Sequence, residues 1–242
     1  MEVYRRTLSF LLVQASKKVL GQDVTIRHSM SDGYYCVLSG GPATEEQVEA
    51  IKQGMAHLVD QNIPIHREVL PLDKARRIFE RQGNYDKARL LQWTALDPTV
   101  AYRCADTYGY FYAPLASSTG QVKVFDLLRY PPGMVLQFPT VSFPDRLPPF
   151  QAAKSLAEVF REYSQWLDVL GVSTMDSIHE RVATGKALDL ILISEAFHGE
   201  ALARMARAIC DRPSVRLVCL AGPSGSGKTT TARRLQIQLQ VC

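Results

Sequence analysis

Nine residues near the end of the chain, "GPSGSGKTT" from Gly222 to Thr230, restrict the fold more than any other stretch. They fit G-x-x-x-x-G-K-[ST] without a gap, and their flanks carry opposite periodicities. Before them, "SVRLVCLAG" is an apolar, β-branched run bounded by Pro213 and Gly222. It reads as a buried parallel strand. After them, "GKTTTARRLQIQLQ" reads as a helix. A strand feeding a glycine loop and then a helix makes an anion nest from inward-pointing N–H groups and the positive helix end. The expected phosphate cradle is Gly222, Ser224, Gly225, Ser226, Gly227, Lys228, Thr229 and Thr230. Lys228 would reach the β- and γ-phosphates of ATP, and the Thr229 hydroxyl would ligate Mg²⁺.

The same motif creates a conflict. Twelve residues follow Thr230, and none of them is acidic. Phosphoryl transfer also needs a further Mg²⁺-organising acid, a residue that orients the nucleophile and cationic groups for the transition state. A single strand needs neighbours for its N–H and C=O groups. The expectation is therefore a piece of a longer chain, or a sheet completed by another polypeptide. An open strand edge over residues 215–221 favours association between copies.

Upstream, the pattern alternates between helix and strand. The expected α+β order begins with a helix capped by Thr7, striped by Leu8, Leu11, Leu12, Ala15 and Val19, and stopped by Gly21. "VTIRH" and "GYYCVL" follow as a hairpin turning at Asp32-Gly33. The helix "ATEEQVEAIKQGMAHLVDQN" carries a Thr44/Gln47 capping box. "IPIHREVLP" is a short strand, "LDKARRIFERQG" a helix capped by Asp73, and "NYDKARLLQW" another beginning at Asn84. Three strands are expected in "YGYFYAP", "QVKVFDLLRY" and "GMVLQFP". The tyrosines of the first could stack on bases, but no Lys or Arg interleaves them, and sheet packing is the better reading. "PTVSFPDRLPP" holds a run of prolines that excludes a helix and marks a linker. Helices follow, with "ALDLILIS" ambiguous between helix and strand. The mid-chain set Asp168, Asp176, His179, Glu180 and Arg181 reads as an exposed helix face.

Composition excludes several classes. Five scattered cysteines form no C-x-x-C pair, which argues against a disulfide framework and for a reducing cytoplasm. Five histidines show no H-x-x-x-H spacing, so no structural zinc is expected. No apolar run approaches a membrane span. A net charge of +4 is compatible with a phosphorylated ligand without requiring one.

Two resemblances complete the reading. "AGPSGSGKTTTARRLQIQL" resembles the opening of the uridine kinase and phosphoribulokinase group of P-loop kinases. "RRTLSFLLVQASKKVLG", "SDGYYCVL" and the span from Thr44 to Leu91, with the later aromatic strands, resemble the second additional domain of threonyl-tRNA synthetase, related to the editing domain of alanyl-tRNA synthetase. This second likeness covers roughly residues 4–138. In that order, joined by "ISEAFHGEALARMARAI", the two resemble bacterial uridine kinase-like proteins with a synthetase-like N-terminal region. The resemblance implies an α+β synthetase-like domain over 1–149, a helical connector over 150–212, and the first strand, P-loop and helix of an α/β kinase domain over 213–242. It further implies a nucleoside acceptor and a catalytic role for Lys228. The alternative is a non-catalytic module in which the synthetase-like part recognises tRNA or a nucleoside, with Arg5, Arg6, Lys17 and Lys18 as the basic residues that motivate it. Editing enzymes place an H-x-x-x-H pair and a Cys/His pair in their site. Here these positions fall at Arg6 and Phe10 and near Gly109 and Ala113, none of which is a metal ligand. Neither metal binding nor hydrolysis of mischarged tRNA carries over.

Overall fold

Four leucine and alanine positions of the first helix, Leu8, Leu11, Leu12 and Ala15, are at most 1% exposed, and the chain folds around them. The computed structural model describes residues 1–152 and 154–242. They divide into two compact units, Met1–Asp176 and Ser177–Cys242. The first unit is mixed α+β with antiparallel sheets.

Helix α1 (Glu2–Leu20) has Met1 as its N-cap and starts six residues earlier than the Thr7 cap predicts. Glu2 supports its first turn by pairing with Arg5 and Arg6. Thr7 lies inside the helix, fully buried, with its hydroxyl donating to Val3 O at 2.8 Å and accepting from Ala116 N at 2.9 Å. Val19, expected in the core, is 43% exposed. Gly21 does end the helix, at φ 67°, a left-handed conformation that costs other residues more. Strands β1 (Val24–Met30) and β2 (Gly33–Leu38) pair antiparallel around Ser31-Asp32, with a bulge between Ile26 and His28. Helix α2 (Glu45–Asp60) forms with both halves of the Thr44/Gln47 capping box. It lies close to α1 because Gly54 has no side chain; a Cβ there would meet Val19 Cγ2 at 2.8 Å.

Strand β3 (Ile65–Leu70) leads into α3 (Leu72–Arg81). The N-cap of α3 is Pro71, and the Asp97 carboxylate accepts from Leu72 N at 3.1 Å. Asp73, the expected cap, sits in the first turn instead. After α4 (Tyr85–Leu90) comes a strand that periodicity does not reveal, β4 (Thr99–Cys104). It forms the centre of a three-stranded sheet in the order β3-β4-β5, with β5 at Thr107–Gly109. The expected strand through Pro114 stops at Gly109, because α1 takes the next backbone groups. Arg6 Nε donates to Pro114 O at 3.0 Å, and Ala116 N is held by Thr7. Within that aromatic run, Tyr108 donates to Glu68 at 3.1 Å, whereas Tyr112 is 81% exposed. Strand β6 (Asp126–Tyr130) likewise begins later than Gln121, since Tyr4 Oη accepts from Val124 N and donates to Val124 O. With β7 (Gly133–Gln137) it completes a four-stranded sheet in the order β1-β2-β7-β6. The proline-rich stretch has no helix or strand. Helix α5 (Lys154–Leu170) follows.

One face of the four-stranded sheet packs on α1 and α2 through Cys36, Met134, Leu136, Ile51 and Met55. The three-stranded sheet packs on α3 and α4 through Ala101, Phe79 and Ala88, with Leu91 just after α4 in the same cluster. A third cluster, from Phe10 to Tyr102, Cys104 and Leu115, joins α1 to the second sheet.

After α6 (Met175–Ala183), the second unit is built on α7 (Ala187–Cys210) and α8 (Lys228–Val241). The ambiguous "ALDLILIS" is the helical start of α7. Leu202, Ala206 and Leu235 pack these two helices together. Residues 215–223, expected to hold a buried strand, have no regular structure, and Leu217 is 79% exposed. Among the described residues no strand pairs with them, so a lone extended segment gains no ladder. Among the described residues no helix is long and apolar enough to cross a membrane, and the five cysteines form no disulfide.

Replacing Phe79, which is fully buried, by alanine should cost about 3–5 kcal/mol in urea unfolding, as expected for an aromatic core truncation. Thr44→Ala should cost about 1 kcal/mol through loss of the cap.

Candidate functional site

Two regions gather chemistry-bearing residues, one in each unit. In the first, α1, the turn between α3 and α4, and the β4–β5 hairpin enclose a cleft of about 230 Å³. Its apolar wall is Phe10, Phe111 and Gly109. The two phenylalanine rings meet edge to face at 5.6 Å. Gly109 is required beneath them, since a Cβ there would lie 2.8 Å from Phe111 Cε2 and 2.9 Å from Phe10 Cε2. The polar side carries Lys17, paired with Asp23 at 2.9 Å, and Lys87. Burial lowers the Lys87 pKa, with Asp86 and Asp23 opposing the shift. Gln82 fixes one wall by bonding both Tyr108 N and Tyr108 O. Gln14 donates to Cys104 O at 3.4 Å, and its Oε1 is buried without a partner. Burial also pushes the Cys104 thiol up.

The four positions that the resemblance places in an editing-type site lie in two pairs. Phe10 touches Gly109, and Arg6 is bonded to Pro114, next to Ala113. These positions hold an aromatic ring, a glycine, an alanine and an arginine committed to a backbone carbonyl. Among the described residues no group of three or more His, Cys, Asp or Glu side chains is placed to hold a metal ion. The basic residues of α1 are largely engaged within the fold. The Arg5 guanidinium stacks over Phe138 at 4.8 Å, Arg6 holds Pro114 O, and Lys17 pairs with Asp23.

The second region is the glycine loop. Gly225 and Gly227 adopt φ 76° and 77°, which only glycine takes without strain. Gly227 is the residue from which α8 starts, and Thr231 N donates to Gly227 O at 2.9 Å. A Cβ on Gly222 would approach Ser226 Oγ to 3.0 Å. Lys228 folds back over the loop and donates to Pro223 O. Ser224, Ser226, Thr229 and Thr230 are exposed around this curl. The loop and helix of the motif are therefore formed, and its preceding strand is not.

The mid-chain charged set needs correction. Asp176 is only 6% exposed, and Oδ2 accepts from Arg89 Nε at 2.7 Å. Burial raises its pKa, but bonds from Thr174 and Arg89 outweigh that and hold the carboxyl below its ordinary value. The missed signal was the "STMD" start of α6, which places an acid in a first helical turn.

No family model matches the chain. The part of the chain that forms the α+β unit is similar in sequence to threonine–tRNA ligases. More narrowly, the chain is 34% identical over 132 residues to a threonine–tRNA ligase of Azoarcus sp., covering 53% of this chain and 21% of that protein. A threonine–tRNA ligase of Aromatoleum aromaticum is 35% identical over 132 residues, and one of Maricaulis maris 34% over 133. The chain thus spans about a fifth of the length of the curated relatives it matches.

Asp176→Asn should destabilise the fold by about 2 kcal/mol near neutral pH, between the values for exposed and buried pairs because Arg89 is half exposed. A carboxyl held low in the folded state stabilises above its unfolded pKa of about 3.9 and loses that contribution as pH falls toward the folded value. Melting curves of the two proteins should therefore converge in acid.

Proposed function

We propose that the chain is a binding module whose synthetase-like unit recognises tRNA or a nucleoside without cleaving a bond. The observation that carries this reading is the cleft beneath Phe10. It sets Phe10 and Phe111 against Gly109 and so presents aromatic and glycine surface at positions where the resemblance would call for metal ligands. The similarity to threonine–tRNA ligases, proteins named for acting on tRNA, supports the choice of ligand. An aromatic wall suits a terminal base, and Lys87 suits a neighbouring phosphate.

A second reading rests on a separate observation, the left-handed glycines that curl the loop ahead of α8. They fit the phosphates of ATP, with Lys228 as the cation and the Thr229 hydroxyl as a ligand of Mg²⁺. Bound ATP·Mg²⁺ would supply a transferable phosphoryl group. This reading is the ATP-binding part of a uridine kinase-like nucleoside kinase, inactive as this chain alone, with the division at 1–149, 150–212 and 213–242 and a cytoplasmic location. The exposed run from Val215 to Leu220 supports association between copies through strand pairing.

Filter binding of tRNA tests the first reading. A module neutralising three phosphates should lose roughly fortyfold in affinity between about 50 and about 200 mM salt. Absence of salt-dependent binding would sink it. For the second, equilibrium dialysis should detect Mg²⁺-dependent ATP binding that Lys228→Ala abolishes and Thr229→Ala makes independent of Mg²⁺.

A further inference from the structure

The four-stranded sheet has a second face, opposite α1 and α2. Along β2, Cys36 and Leu38 point into the core, so Tyr35 and Val37 point away from it. Helix α5 covers this face and leaves a cavity of about 370 Å³ between them. That volume is within the range of small-molecule sites and far above the voids of a packed interior.

The walls are aromatic and ordered by contact with one another. His28 stacks on Phe160 of α5 at 3.8 Å and 11°, and on Tyr35 at 5.2 Å and 27°. Tyr130 meets the edge of Tyr35 at 6.1 Å. Tyr35 is seated over Gly133, where a Cβ would lie 3.0 Å from its ring. Four charged side chains line the same cavity, Arg27 and Arg161 against Glu158 and Asp168. No ion pair joins these four among the described residues. Their charges cancel, so the site offers no net attraction to a phosphate, and each carboxylate can accept from a hydroxyl or amino group. Gln165 adds an amide that both donates and accepts, as reading the edge of a heterocycle requires.

We infer that this cavity is a binding site for a neutral, planar heterocyclic compound of nucleoside size, held by the aromatic walls and by hydrogen bonds to Gln165 and Asp168. The site is independent of both readings above, since it shares no residue with the cleft or the glycine loop. Isothermal titration of the full chain with adenosine and with uridine tests it, with AMP and D-ribose as comparisons. At least one nucleoside should bind with a Kd on the order of 0.1 mM, and ribose should give no heat. Phe160→Ala should weaken binding roughly tenfold by removing a stacking surface. Gln165→Ala, at a position too exposed to unfold the chain, should weaken it about fivefold. The inference is overturned if neither nucleoside binds, if both variants bind as the parent does, or if AMP binds more than about tenfold tighter than adenosine. Loss of binding in Lys228→Ala would assign the nucleoside to the glycine loop and overturn it as well.

Discussion

Everything in the first unit depends on what α1 does with its backbone-facing polar groups. Thr7 is buried in the middle of a helix, where a hydroxyl ordinarily bonds back to its own chain and gains little. Here it also receives Ala116 N, while Tyr4 holds Val124 and Arg6 holds Pro114. Two irregular backbone segments, around residues 114–116 and at Val124, have backbone groups satisfied by a single helix. The aromatic cluster around Phe10 then ties that helix to the three-stranded sheet, as Leu8 and Leu12 tie it to the four-stranded one. The cleft exists because one helix serves two sheets.

The cleft rests on packing rather than on any one side chain. A metal site needs several donors at fixed separations, and its loss requires only that those few side chains change. The packing that brings the positions together involves many more residues. Gly109 illustrates this: Phe10 and Phe111 fill the space above it, and a Cβ there would meet both rings.

The second unit shows the reverse balance. Its loop conformation is local: two left-handed glycines and a helix start are encoded within six residues and form without help. Its strand is a tertiary object, and "SVRLVCL" stays irregular where no neighbour offers a ladder. Hydrophobicity and β-branching make a strand favourable only when its hydrogen bonds are also met.

The sequence by itself determined the elements whose signals are short-range. The Thr44/Gln47 box, the stop at Gly21 and the glycine loop each depend on contacts within a few residues and stand where their residues indicate, and the β1–β2 turn stands one residue before the expected Asp32-Gly33. Element ends were less legible. Asp73, Gln121 and Pro114 mark boundaries that moved because a distant side chain claimed the local backbone groups, and the boundary at Thr7 moved because Glu2 pairs with Arg5 and Arg6 in an earlier turn. Only the tertiary structure decided that β4 forms, since "TVAYRC" acquires its role by pairing with strands on both sides. Only it decided that Asp176 is buried against Arg89, and that Phe10 and Gly109, far apart in the chain, share a wall. Short-range patterns carry their own hydrogen-bond partners, whereas strand neighbours, buried charge pairs and clefts exist only once distant segments meet.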